Sequence, residues 1–234
     1  MVPAQAPAAR SSSDRLAADL RGFGPIGLVA ILVIVLSGNI FVGSIVVPLG
    51  AVLVLVWMQW SRTPWRAIGY VRPASWIATI AGGLAFGVAF KFLMKAIVMP
   101  LLGADPINPA FHYLAGNRAM LPAAIWMMIV AGFGEETVFR GYSFERLGRL
   151  FGARAAAKVS IVLLTSAWFG ASHYALQGLA GAEQATIVGL VFGGIFTVTG
   201  RIWMLMIAHS AFDLTALAMI YWNLESNVAH LVFK

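Results

Sequence analysis

Two adjacent glutamates and a nearby arginine follow an apolar stretch of the chain. Glu135 and Glu136 come after the apolar residues 121–133, and Arg140 lies four residues beyond Glu136. Residues four apart share a face of a helix, so Arg140 is predicted to neutralise Glu136 through a two-pronged contact. Glu135 points about 100° away and is left available as a general base in a poorly solvated site. The alternative is a solvated helix end, where these charges only face water.

Two further motifs place histidines in apolar segments. His173 follows Phe169-Gly170-Ala171-Ser172, and His209 lies four residues before Asp213. Each has a structural alternative, because a buried histidine can satisfy itself and a His–Asp pair can simply pack helices together. The functional alternative is a ligand or an oxyanion donor steadied by a carboxylate. Burying these groups separately is unfavourable. We therefore expect one water-filled cavity to gather Glu135, His173, His209 and Asp213.

The composition indicates which elements must hold these residues. Of 234 residues, 60% are hydrophobic and only 11% are charged, against about 25% charged in soluble domains. Such a chain is not a soluble globule, a disordered chain, a collagen or a disulfide scaffold. It contains no cysteine, which excludes thiolate catalysis and cysteine-based zinc sites. The sequence predicts an all-α, polytopic transmembrane helix bundle with a buried polar cavity.

Apolar runs of about 20 residues predict the spans. We expect about seven, within a range of six to eight, and no signal peptide. The chain is divided into a flexible cytoplasmic tail (1–22), an N-terminal transmembrane hairpin with a basic loop (23–73) and the core of the bundle (74–234). The predicted spans are 25–41, 44–60, 76–101, 119–142, 159–180, 184–199 and 202–222.

The basic residues predict the orientation. The chain has 16 Lys and Arg against 9 Asp and Glu, and most of the basic residues fall in loops on one side of the predicted bundle. That side is expected to be cytoplasmic, which places the N-terminus there, in a multi-pass protein of the cell membrane. No basic patch is interleaved with exposed aromatics, so no nucleic-acid partner is expected. Lys91 and Lys95, inside a span, are expected to snorkel outward.

In order, the three motifs read Glu-Glu-x-x-x-Arg, Phe-x-x-x-His and His-x-x-x-Asp. This order resembles the CPBP family of intramembrane proteases, which includes the CAAX prenyl endopeptidases and the bacteriocin-processing and Abi-type self-immunity relatives. The resemblance implies an intramembrane endopeptidase whose core is 74–234. Its partners would be the lipid bilayer and a peptide or protein substrate, which could carry a lipid. Two other segments look like family context, namely Gly69-Tyr70-Val71-Arg72-Pro73 and Arg140-Gly141-Tyr142.

The resemblance also implies roles for the candidate residues. Glu135 would activate water, Glu136 and Arg140 would brace the site, and His173 would assist the water or bind a metal. His209 and residue 213 would stabilise the oxyanion or complete a metal site. The chain has Asp213 where prenyl-protein-processing members typically have Asn. An ionised Asp cannot donate a hydrogen bond. It must stay protonated, orient His209 or help to hold a cation.

Two mechanisms and several alternatives stay open at the level of sequence. Either Glu135 and His173 polarise water without a metal, or Glu135, His173 and His209 hold a divalent ion such as zinc. A serine protease would need His209 to reach Ser172, because the neighbouring His173 is expected to diverge. An aspartyl protease needs two membrane-embedded aspartates, and only Asp213 qualifies. The non-enzymatic alternative is a proton-coupled transporter or a bacteriocin-immunity or assembly factor.

The predicted depths of the candidate residues disagree. Counted from the predicted span ends, His173 would lie roughly 10 Å deeper than Glu135 and His209. An interfacial helix over residues 152–160 would remove the difference.

Overall fold

The computed structural model describes residues 11–37, 41–42 and 47–233. These residues are helical apart from their connections and one short antiparallel pair of strands, β1 (Phe41–Val42) and β2 (Val47–Pro48). The predicted all-α class is therefore confirmed. The α-helices are α1 (Ser12–Arg21), α2 (Pro25–Leu36), α3 (Leu49–Ser61), α4 (Trp76–Leu93), α5 (Met99–Leu101), α6 (Leu121–Glu136), α7 (Ser143–Phe151), α8 (Ala155–Thr199), α9 (Trp203–Tyr221) and α10 (Glu225–Ala229).

The described residues also include four shorter helical segments. Two π-helical segments, Met94–Val98 and Thr137–Tyr142, join α4 to α5 and α6 to α7, so that Trp76–Leu101 and Leu121–Phe151 are continuous helical runs. Two 3-10 turns, Trp65–Ile68 and His112–Leu114, lie in the connections.

Four helical runs in the described residues are long and apolar enough to cross a membrane, and a fifth is added if α1 and α2, bent by 58°, form one span. The predicted count of about seven is not confirmed. Part of the difference arises near the N-terminus, where α2 and α3 have only 12 and 13 residues. A span needs about 20. Residues 38–40 and 43–46, around the turn of the predicted hairpin, lie outside the described residues.

The rest of the difference arises in α8, whose 45 residues contain both predicted spans 159–180 and 184–199. The helix breaks at Gly178, where φ is 64° and ψ is −161°. A side chain rarely adopts this backbone, so glycine is required there. The two halves then pack side by side, because a Cβ at Gly170 would meet Thr186 Oγ1 at 1.9 Å and one at Gly189 would meet Ser166 Cα at 2.8 Å. Hence α8 is a tight antiparallel hairpin.

Residues 12–21, within the predicted flexible tail, form helix α1. Ser11 and Asp14 make a capping box at its start, and Ala17 and Leu20 are buried. The Trp57 indole donates to the Leu20 carbonyl at 3.0 Å, which holds α1 against α3. A cap and a small apolar face thus order this segment, where the Ala-rich composition alone predicts flexibility.

Helix α9 lies at the centre of the bundle, between α4 and α6. Small residues allow both approaches, as is usual between transmembrane helices. On α4, a Cβ at Gly87 would lie 2.1 Å from the Ala208 carbonyl oxygen, and on α6 a Cβ at Gly132 would lie 2.6 Å from Ser210 Oγ. The two contacts fix the faces that α4 and α6 turn toward α9.

The start of α9 is buried inside the protein. Ile202 is fully buried, and its amide donates to the Gly69 carbonyl at 3.0 Å. Tyr70, next to Gly69, packs its ring edge-on to Trp203 at 5.0 Å and its hydroxyl lies 2.7 Å from Thr137 Oγ1. Burial raises the pKa of the Tyr70 phenol, which therefore stays neutral as a bridge between this segment and the π-helical turn.

The disagreement in depth disappears in the structure. Because the helical run through Glu135 continues to Phe151, Glu135 lies 16 residues from that end, and His173 lies 18 residues from the start of α8 at Ala155. The rings of His173 and His209 both lie near the Phe169 ring, with centroids 4.6 and 5.8 Å away, so the two histidines lie at a similar depth. The interfacial helix expected over residues 152–160 is not formed, since α8 begins at Ala155.

The close approach of α4 and α9 predicts a stability difference between two neighbouring glycines. Gly87→Ala should lower the stability by roughly 1–3 kcal/mol, because the new methyl group overlaps the Ala208 backbone. Gly82→Ala is the matched control, since nothing lies within 4 Å of its Cβ and alanine favours the helix equally at both positions. Thermal unfolding in detergent measures both. Equal melting temperatures would contradict the close contact.

Candidate active site

The glutamate pair lies where the helix changes its hydrogen-bonding pattern. Glu135 and Glu136 end α6, and the π-helical turn Thr137–Tyr142 follows at once. The Thr137 hydroxyl donates to the Phe133 carbonyl at 2.7 Å, at the junction. Single π-helical turns within α-helices are frequent at functional sites. Here the turn points charged side chains toward α8 and α9.

Glu136 and Arg140 form a fully buried ion pair. Arg140 Nη1 lies 2.9 Å from Glu136 Oε1, and the side chains are 2% and 0% exposed. The predicted two-pronged contact is wrong in detail, because only one oxygen of Glu136 is engaged and the pair is not aligned as a hydrogen bond. The Arg140 guanidinium lies over the rings of Phe169 at 4.7 Å and Phe192 at 5.7 Å. These rings partly replace its lost hydration.

His209 connects the two glutamates. Its Nδ1 lies 2.8 Å from Glu136 Oε1, a distance at which the ring nitrogen donates to the carboxylate. Its Nε2 then faces Glu135 Oε2 at 3.6 Å and Asp213 Oδ2 at 3.7 Å. A buried carboxylate on Nδ1 fixes the tautomer and the ring orientation. The free side of the imidazole is thereby presented to the other two carboxylates.

His173 reaches the same region from the first half of α8. Its ring lies 4.6 Å from the ring of Phe169, which in turn lies 5.8 Å from His209. Nδ1 donates to the Phe169 carbonyl at 2.8 Å, so Nε2 is the nitrogen that can accept a proton. The expected divergence of Ser172 from His173 is wrong, since Ser172 Oγ lies 3.3 Å from Nδ1. However, the Ser172 hydroxyl also donates to the Phe169 carbonyl, at 2.7 Å.

A cavity of about 390 Å³ lies between α4, α6, α8 and α9. Four of the six predicted catalytic residues line it, while Glu136 and Arg140 lie behind them. The remaining lining is mostly apolar. Lys91 and Gln184 are among the polar lining residues that the sequence analysis does not assign to the site, although the charge of Lys91 inside a span is a visible signal. The predicted residues in the lining are Glu135, His173, His209 and Asp213.

The residues predicted as metal ligands were Glu135, His173 and His209. Across the residues that the structure describes, no group of three or more His, Asp or Glu side chains is arranged to hold a metal ion. His209 contacts the Glu135 carboxylate directly, and its other nitrogen is held by Glu136. Among the described residues, the three predicted ligands are thus not arranged as a metal site.

A protein family matches the part of the chain that forms this site. Residues 117–215 match the Rce1-like family, described as type II CAAX prenyl endopeptidase Rce1-like. The match contains all three motifs, and the predicted resemblance to the CPBP proteases is thereby confirmed. No curated protein and no solved structure matches the chain.

The buried cluster predicts a structural penalty for loss of the Glu136 charge. Glu136→Gln leaves the guanidinium of Arg140 without its counter-charge, and breaking a buried ion pair costs about 3–5 kcal/mol. Glu183→Gln is the matched control, because Glu183 is only half-buried and has no ion pair among the described residues. Thermal unfolding in detergent compares the two variants. A melting temperature of Glu136→Gln equal to that of the control would contradict the cluster.

Proposed function

We propose that this protein is an intramembrane endopeptidase, because residues 117–215 match the family described as type II CAAX prenyl endopeptidase Rce1-like. One structural observation supports the proposed catalytic mechanism, in addition to the family match. Glu135 Oε2 faces the imidazole of His209 at 3.6 Å inside a cavity that His173 and Asp213 also line. A carboxylate base and an imidazole on one cavity are the groups that hydrolysis of a peptide bond requires.

In the proposed reaction Glu135 is the general base. It takes a proton from a water molecule as the water oxygen attacks the scissile carbonyl carbon, so that a C–O bond forms and the carbonyl oxygen becomes an oxyanion. The protonated Glu135 then gives this proton to the leaving nitrogen as the C–N bond breaks. The products are a carboxylic acid and an amine, and Glu135 returns to its starting charge.

His209 stabilises the oxyanion in this proposal. With Nδ1 held by Glu136, a proton on Nε2 can be donated to the oxyanion. Glu136 and Arg140 are positioning residues, which keep the imidazole oriented and its positive charge balanced. His173, with Nε2 available, holds the attacking water or the leaving group. Asp213 orients His209 from the next helical turn, which fits its 3.7 Å distance from Nε2.

The substrate we propose is a prenylated peptide or protein that carries a CAAX sequence, because the matched family is described as a CAAX prenyl endopeptidase. The largely apolar lining of the cavity, with Met127, Met128, Leu176 and Leu217 among its residues, suits an aliphatic peptide. Lipid attached to such a substrate would reach the site from the bilayer.

We also propose the topology. Residues 74–234 form the protease core, and residues 23–73 form an N-terminal hairpin with a basic loop. Seven crossings follow if α2, α3 and each half of α8 cross the bilayer. The excess of basic residues in the loops on one side supports a cytoplasmic N-terminus in a cell membrane. The cavity then serves as a polar active site within the bilayer.

The alternatives receive less support. The matched family is described as an endopeptidase, which does not favour a transporter or a non-enzymatic immunity or assembly factor. A serine mechanism with His173 as the base is disfavoured, because its Nδ1 and the Ser172 hydroxyl both donate to the Phe169 carbonyl.

Activity assays on variants of Glu135 test the proposed reaction. Glu135→Gln should reduce cleavage of a fluorogenic farnesylated CAAX peptide by about 10²–10⁴-fold, because the amide cannot accept the proton from water. Glu183→Gln should retain the wild-type rate. Ser172→Ala should also retain activity, which distinguishes the serine alternative. Cleavage that persists in Glu135→Gln at equal protein yield would contradict the proposal.

Asp213, which stands where prenyl-protein-processing relatives typically have Asn, gives a second prediction. Asp213→Asn should retain most of kcat/KM, because the amide still contacts His209 and can donate to the oxyanion. Asp213→Leu should lose about tenfold or more, since no polar atom remains beside Nε2. If Asp213→Asn is as inactive as Asp213→Leu, the carboxylate charge itself is required and the positioning role is contradicted.

A further inference from the structure

Two lysines on α4 and the π-helical segment after it point into the protein, although the sequence predicts that they snorkel outward. Gly83 and Gly87 face α9, and Lys91 and Lys95 continue this stripe at intervals of four residues. The lysines are only 6% and 9% exposed. A buried ammonium group is unfavourable unless a partner neutralises it.

Lys95 has such a partner. Its Nζ lies 3.4 Å from Glu225 Oε1 and also donates to the Pro106 carbonyl. Glu225 Oε1 accepts in addition from the Asn108 amide at 3.1 Å. The ion pair ties α10 to the π-helical segment Met94–Val98, and the contacts with Pro106 and the Asn108 backbone attach the loop before α6. The charge of Lys95 is thus neutralised inside the protein by Glu225.

Lys91 has no carboxylate within ion-pair distance among the described residues. Its Nζ donates to Gln184 Oε1 at 3.0 Å and lies 4.7 Å from the centre of the Phe212 ring. Neither contact is an ion pair, and the carboxylates of Asp213 and Glu225 act on the ammonium group only from beyond ion-pair distance. Lys91 and Gln184 line the 390 Å³ cavity and also a neighbouring cavity of about 220 Å³, so they lie at the boundary between the two.

We infer that Lys91 and Gln184 bind the free C-terminal carboxylate of the substrate peptide, an inference that rests on the proposed endopeptidase function. The ammonium group supplies the charge. Gln184, whose oxygen accepts from Lys91, has its amide N–H groups left for the second carboxylate oxygen. A CAAX sequence ends its protein, so a substrate that enters the cavity carries a carboxylate.

This assignment also gives the peptide a direction. Glu135 lines the same cavity and repels an anion, whereas Lys91 attracts it. The carboxylate is therefore held at the Lys91 side, and the scissile carbonyl, three or fewer residues away, is left to face Glu135 and His209. Three extended residues span about 10 Å, which a cavity of this size accommodates. Cleavage is thereby restricted to bonds close to a chain end.

Equilibrium binding in the Glu135→Gln background tests the inference without turnover. The probes are a fluorescent farnesylated CAAX peptide with a free carboxylate and the same peptide with a C-terminal amide, and fluorescence anisotropy in detergent gives both affinities. The carboxylate form should bind about tenfold or more tightly, as expected for a hydrogen bond to a charged group. Adding Lys91→Met should bring the ratio of affinities close to one, while Lys91→Arg should keep a preference.

Lys158→Met is the matched control, because it removes the same charge from an exposed position on α8. It should leave the ratio unchanged. Equal affinities for the two peptides before Lys91 is changed would overturn the inference. Binding of neither peptide would also overturn it. So would a preference that survives Lys91→Met. Failure of the proposed function has a different signature, namely no cleavage by the unaltered protein or full cleavage by Glu135→Gln.

Discussion

A carboxylate with no exposure to solvent organises the centre of this protein. Glu136 lies at the end of α6, receives Arg140 from the following π-helical turn and accepts a hydrogen bond from His209 on α9. A buried charge of this kind is tolerated only while its partners stay in place. Helix α6, the turn and α9 are therefore held in one relative position. Glu135, one residue earlier, is fixed by the same contacts and faces the opposite side of the imidazole.

Packing of small residues makes these polar contacts possible. Gly87 and Gly132 bring α4 and α6 against α9, and Gly170 and Gly189 close the two halves of α8 on each other. Between lipid-soluble helices there is little hydrophobic force to favour association, so close packing and polar contacts decide the arrangement. The space that remains between the four helices is the cavity. Its charged lining residues come from different helices, which only the assembled bundle brings together.

The sequence predicts the helical class and the identity of the charged motifs, because both depend on local composition and on residue spacing. It also predicts that Glu136 pairs with Arg140, since i and i+4 residues share a helical face. Contacts between residues distant in the sequence determine three other features: the π-helical turn, the buried start of α9 and the break of α8 at Gly178. For that reason the single contact of Arg140, the depth of His173 and the number of spans could not be read from the sequence. Burial of Lys91 and Lys95 was missed for the same reason, since a span alone does not tell which face meets lipid.

The account depends on one claim, that the ionisable residues of α6, α8 and α9 share a water-filled space inside a membrane-embedded bundle. The chain contains no cysteine, so single cysteines can report on it without background. Ala131 and Ala216 line the cavity, whereas Val88 on α4 is exposed at the surface of the bundle, where lipid is expected. In proteoliposomes a charged thiosulfonate reacts only with thiolates that water reaches. Ala131→Cys and Ala216→Cys should be labelled while Val88→Cys is not; if all three stay unlabelled, the shared wet cavity does not exist.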